Sequence, residues 1–149
     1  MANTYVNDII AAAKGEIATL LPTYTQLDYE YDLTQNNFTN RPLRFGFTPG
    51  SITFLEGRTL RHVTVEQEFE VILTTDFANQ DDDTNQAIAV GVLYEASHDV
   101  IKSLTSTKLG LPSLVLLVTG DTMDEPEFLE DNTIAAIRTT ISVTYKYAI

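Results

Sequence analysis

Two stretches of this chain carry a carboxylate at every second position. Asp28, Glu30 and Asp32 alternate with Leu27, Tyr29, Tyr31 and Leu33, and Glu66, Glu68 and Glu70 alternate with Val65, Gln67, Phe69 and Val71. A β-strand sends successive side chains to opposite faces, so each stretch reads as a strand with one largely apolar side and one acidic stripe. Like charges opposite one another on a sheet are destabilising, so a chain built this way must find basic partners, leave the stripes in open water, or use a negative surface. The plain account is a solvated face, or an edge strand charged against aggregation, with Arg138 and Lys146 pairing some of the glutamates across strands. The sharper account is a wall that repels phosphate and lets DNA pass without sticking.

The rest of the chain gives those strands an α+β setting. Residues 3–21 predict an amphipathic helix, with Val6, Ile9, Ile10, Ala13, Ile17, Leu20 and Leu21 on one stripe, Asn3 as N-cap and Pro22 as the stop. Residues 25–33 are the first acidic-striped strand, and 51–55 are short and strand-like. Residues 34–50 have no clear period and are rich in Asn, Thr, Pro and Gly, which predicts a functional loop or arm. Residues 59–75 predict a strand long enough to bend or to project beyond its own core. Residues 84–106 predict a second helix with Val90, Leu93, Val100 and Leu104 on one face and the small Gly91 and Ala96. The apolar run Leu114–Val118 suits a central strand. The segment 133–147 alternates, with Ile137, Ile141, Val143, Tyr145 and Tyr147 opposite Arg138, Thr140, Ser142, Thr144 and Lys146. The order predicts one domain, 1–149: a mostly antiparallel sheet with two main helices packed on one face and a long projecting loop or arm.

Charge narrows the partners. Nine Lys and Arg stand against 21 Asp and Glu, for a net charge of −12. A binder of phosphate backbones or of anionic lipid needs clustered cations, so neither nucleic-acid affinity nor membrane docking is expected. There are no cysteines, which removes disulfides, thiolate metal sites and cysteine nucleophiles together. The opening MANTYVNDII lacks the basic and apolar regions of a signal peptide, so a protein made and used in a cytoplasm is expected.

The chemistry-bearing residues do not form a catalytic pattern. Asp81-Asp82-Asp83 lacks the spacing of a calcium loop and reads better as helix-start chemistry, with Asp83 or Thr84 as the cap. His62 and His98 have no second histidine at zinc spacing. No G-x-S-x-G turn and no phosphate-cradling loop occur. The expectation is therefore no catalytic residue, no metal and no cofactor. Two alternatives stay open: a metal-dependent hydrolase using Asp81–Asp83, Asp121 or Asp124 with His62 or His98, and an acidic DNA mimic that binds a basic partner.

One basic segment interrupts the acidic body. Residues 39–62 hold Arg41, Arg44, Arg58 and Arg61 against the single acid Glu56, with Phe45 and Phe47 among them. These arginines either pair within the fold or lie across the acidic face of an identical neighbour. Head-to-tail contacts between unlike patches close into rings when the rotation permits. Arg41, Arg44, Phe45, Phe47, Arg58 and Arg61 are thus the candidate subunit or partner interface. Asp28, Glu30, Asp32, Glu66, Glu68 and Glu70 are the candidate acidic lumen.

The opening helix, the arm RPLRFGFTPGSITFLEGRTLRHVTVEQEFEVILTT, the helix DDDTNQAIAVGVLYEASHDVIKSLT and the closing TIAAIRTTISVTYKY together resemble the tail terminator and neck, or tail-completion, proteins of tailed bacteriophages. The resemblance covers almost the whole chain as a pattern. It implies a small α+β subunit forming a homo-hexameric ring at the head-proximal end of the tail tube. Such a ring ends tube polymerisation and presents a surface to the head-side connector. It also implies a place in the virion after assembly in the host cytoplasm, DNA passing through without specific binding, and no cofactor.

Overall fold

The structure, a computed structural model, describes residues 5–35, 43–55, 62–76, 83–111, 114–129 and 134–148. Helix α1 spans Tyr5–Leu20 and α2 spans Asp83–Thr107; the strands are β1 Thr25–Gln26, β2 Arg44–Phe54, β3 His62–Asp76, β4 Val115–Met123, β5 Glu127–Leu129 and β6 Ile134–Ala148. They form one six-stranded sheet in the order β1-β2-β3-β6-β4, with β5 also paired to β6. Every pairing is antiparallel except the short β1–β2 contact. The expected α+β architecture is the observed one.

The centre of the sheet is the β3–β6 ladder, in register over its whole length from His62↔Ala148 to Asp76↔Ile134. Each strand has 15 residues and runs for roughly 50 Å at about 3.3 Å per residue. Period-two alternation divides these strands cleanly. Val65, Phe69, Val71 and Leu73 of β3 and Ile137, Ile141, Val143 and Tyr145 of β6 enter one core with Ile9, Ala13 and Ile17 of α1 and Leu93, Val100 and Leu104 of α2. The helix residues recur at three- and four-residue spacing, so each helix lays a single stripe on the same side of the sheet. Phe47 stacks on Phe69 at the middle of this layer, ring centroids 5.0 Å apart. Gln67, also on this side, accepts a hydrogen bond from the buried Tyr145 hydroxyl at 2.8 Å. Burial raises the pKa of Tyr24, which packs at the margin of the same core.

Among the described residues, the reverse side is closed at one end only. Leu27 and Leu33 cover Ile72, Ala136 and Ile134 in a second, smaller cluster. Gly46 makes this possible: a Cβ there would come 3.0 Å from Leu27 Cδ1.

Three local expectations are corrected. Residues 27–33 are not a strand: β1 ends at Gln26, the Asp32 amide donates to the Tyr29 carbonyl, and Leu33–Gln35 forms a 3₁₀ turn. The alternation misled because the tyrosines do not face a core; Tyr29 and Tyr31 are exposed, and only Leu27 and Leu33 are buried. Asp-rich segments favour local turn chemistry over a ladder. Second, part of the expected arm is regular. Residues 36–42 and 56–61 lie outside the described residues, but Arg44–Phe54 is a strand of 11 residues with an irregularity between Pro49 and Ile52. Third, the run Leu114–Val118 does not make a central strand. β4 lies at the edge of the sheet, paired to β6 alone, and leaves Leu116 and Leu117 exposed.

Candidate functional site

The uncovered side of the sheet is assembled from the residues that alternate with the core. On β3 these are Glu66, Glu68 and Glu70, and they face a band of hydroxyls on either side. Glu70 pairs across to Thr48 on β2 and Thr140 on β6; Glu68 to Ser142; Glu66 to Thr53 and Thr144. β4 extends the band with Thr122, Thr119 and Leu117 opposite Thr140, Ser142 and Thr144. Asp121, the extra residue of a bulge in β4, accepts a hydrogen bond from Ser142 and so turns its carboxylate to the same side.

Charge on this face is compensated at one end. Arg138 Nη1 lies 2.7 Å from Glu70 Oε1 and its Nε 2.6 Å from Glu127 Oε1, so one guanidinium bridges β3, β6 and β5. Partial burial would lower the Arg138 pKa, but the hydrogen bonds it donates to Glu127 and Glu70 outweigh that and hold the group above its ordinary value. Glu66 and Glu68 form no ion pair among the described residues; Ser51 Oγ approaches Glu68 at 3.5 Å. Carboxylates two residues apart on a strand sit roughly 7 Å from each other. Their repulsion is about 0.6 kcal/mol in water and roughly four times that in a half-buried setting. The stripe is thus cheap while wet and costly against any dry, uncharged partner. A hollow of about 260 Å³ lies across it, lined by Tyr31, Thr48, Gly50, Glu68, Glu70 and Thr140 among others.

The other three candidate lumen acids are placed differently. Asp28, Glu30 and Asp32 sit on the turn that crosses the β2 edge, beside a cleft of about 400 Å³ that also takes in Tyr29 and Tyr31. Glu30 is held by Lys14 Nζ at 2.7 Å and by Gln26 at 3.0 Å. Asp28 lies 3.4 Å from Arg44. Tyr31 of this turn also lines the hollow that holds Glu68 and Glu70, so the turn borders the glutamate side of the sheet.

Of the basic segment, Arg44, Phe45 and Phe47 are described, and all three are buried within their own chain. Arg44 donates its backbone amide to Thr74 Oγ1 and points its guanidinium at Asp28; Phe45 and Phe47 belong to the helix-side core. Their side chains are spent inside the subunit because β2 is an integral strand, with Thr48↔Glu70 and Phe47↔Val71 in register. Arg41, Arg58 and Arg61 lie outside the described residues. The interaction of Arg138 with a glutamate was legible from strand alternation. The Lys14–Glu30 contact and the role of Asp121 were not, since the first joins a helix to a turn and the second depends on a bulge.

Among the described residues no group of three His, Asp or Glu side chains gathers as a metal site. His98 is exposed on α2, while Asp121 and Asp124 lie along and just beyond β4. Asp83 opens α2, and Asp81 and Asp82 are outside the described residues. No helix among the described residues is long and apolar enough to cross a membrane.

No family model matches the chain, and no curated protein does. Among solved structures, the fold is similar to that of a chain in the "Virion of native gene transfer agent (GTA) particle", with a TM-score of 0.60, 11% sequence identity, and coverage of 98% of this chain and 100% of that one. At that identity the likeness establishes a shared fold, end to end over both chains.

Proposed function

We propose that this chain is a structural virion protein, and that copies of it form a ring at the head-proximal end of a phage-type tail tube. In this reading the homo-hexameric ring ends tube polymerisation, contacts the tube protein below and the head-side connector above, and performs no catalysis. The observation that carries it is the end-to-end fold likeness to a chain of a gene transfer agent virion. The bare sheet face supports it: Glu66 and Glu68, flanked by Thr and Ser hydroxyls, suit a wet wall past which a polyanion slides. Cations there would make phosphate contacts and turn a conduit into a clamp. The part of Asp28, Glu30 and Asp32 in such a wall is weaker, because Lys14 and Arg44 neutralise two of them.

Electron microscopy and native mass spectrometry of the purified protein, alone and with tube protein, test the reading. A closed annulus is expected. A monomer at every concentration, with tube present or absent, would overturn it.

A further inference from the structure

Among the described residues the sheet has two open edges, matched in height and direction. β1 covers the outer side of β2 only at Arg44 and Phe45, so among the described residues no strand pairs with β2 from Phe47 to Phe54. At the opposite margin β4 pairs inward with β6 and, among the described residues, with nothing outward. Both edges display apolar side chains: Ile52 and Phe54 are 42% and 71% exposed, Leu116 and Leu117 39% and 53%. Exposed edges are normally guarded by lysine or proline. The open stretch of β2 from Phe47 to Phe54 has one such guard, Pro49, and residues 115–123 contain neither.

The register places the two edges at the same height, with the exposed side chains on opposite faces: Ile52 and Phe54 on the helix side with Gln67 and Val65, Leu117 on the glutamate side with Thr144. Thr53 pairs with Glu66, Glu66 with Thr144, and Thr144 with Leu117; Ile52 leads by the same route through Gln67 and Val143 to Val118. Phe54 leads through Val65 and Tyr145 to Val115. Direction agrees as well. β2, β3, β6 and β4 alternate, so the β2 of a neighbour set beside β4 in the same orientation runs antiparallel to it without any flip. We infer that the β2 edge of one copy pairs with the β4 edge of the next, Ile52–Phe54 against Val115–Val118, continuing one sheet through successive subunits.

This inference rests on the ring reading and names its contact. Unlike edges joined without an axial step give a heterologous interface that closes instead of climbing. It also keeps Glu66, Glu68 and Glu70 of every copy on one side of the continuous sheet, with all helices on the other.

The test uses Phe54→Lys and Leu117→Lys, both at exposed positions, with circular dichroism to show that each variant folds. Native mass spectrometry should show loss of the ring in each variant alone. An equimolar mixture retains one intact edge on each partner, so it should give a species of twice the 16.6 kDa subunit mass and nothing larger. If wild type forms rings and either folded variant still does, the edge pairing is wrong while the ring reading stands. If the variants are monomeric but their mixture fails to dimerise, the edges do not meet as stated. If wild type itself never forms a ring, the parent reading falls first.

Discussion

The two sides of this sheet are written on alternate residues of the same strands, yet they obey different demands. On the helix side the requirement is shape: Phe47, Phe69, Ile141 and Tyr145 interlock with α1 and α2, and none is exposed by more than 1%. On the other side the requirement is spacing and wetness: single acids sit among threonines and serines, and among the described residues only the end beneath Leu27 and Leu33 is closed. A face that is simply solvated usually mixes both signs of charge. Here Glu66 and Glu68 have no cation beside them in their own rows, while Arg138 and Lys146 stand on the same face in the rows toward either end.

Mutations should separate the two sides by magnitude. Phe47→Ala removes a fully buried ring stacked on Phe69 and should cost about 3–5 kcal/mol in chemical denaturation. A loss under about 1 kcal/mol would mean that the helix layer is not tightly packed. Gly120→Ala should be next, at about 1–2 kcal/mol, because the new Cβ would meet Ile101 Cγ2 at 2.9 Å where α2 crosses β4. Arg138→Ala comes third. Charge-assisted hydrogen bonds are worth about 1.5–3 kcal/mol when dry, but these are partly exposed, so about 1 kcal/mol is expected from thermal melts. Smallest is Glu68→Thr, which should change stability by less than about 0.5 kcal/mol. A large loss there would show that the stripe holds the subunit together, and the contrast between the two sides would collapse.

How much of this was legible in the residues depended on whether alternation coincided with burial. The long strands and both helices were found nearly to their ends, since Val65 to Leu73 and Ile137 to Tyr145 repeat with the period that the core enforces. Residues 27–33 have the same alternation, but Tyr29 and Tyr31 point to solvent and the chain turns away after two paired residues. Phe45 and Phe47 were assigned to an arm because Gly46, Pro49 and Gly50 disguise the strand; Gly46 is there to admit Leu27. For β4, an apolar run signals burial but not position across the sheet, and with a bulge at Leu116 both Leu116 and Leu117 are left outside. The uncovered acids of β3 were visible as a pattern. So was the pairing of one of them with Arg138; the contacts of the second stripe with Lys14 and Arg44 required the tertiary fold.

The full-length pairing of β3 with β6 also sets the timing of folding. Partners in that ladder are 58 residues apart at Asp76↔Ile134 and 86 apart at His62↔Ala148. At a synthesis rate of about 5–20 residues per second, β3 leaves the ribosome roughly 3 to 17 s before the strand that flanks it. During that interval a β2–β3 hairpin can form but the middle of the sheet cannot, and β4, translated before β6, has nothing to lie against. The nascent chain therefore carries unsatisfied strand edges for seconds, until β6 has been made.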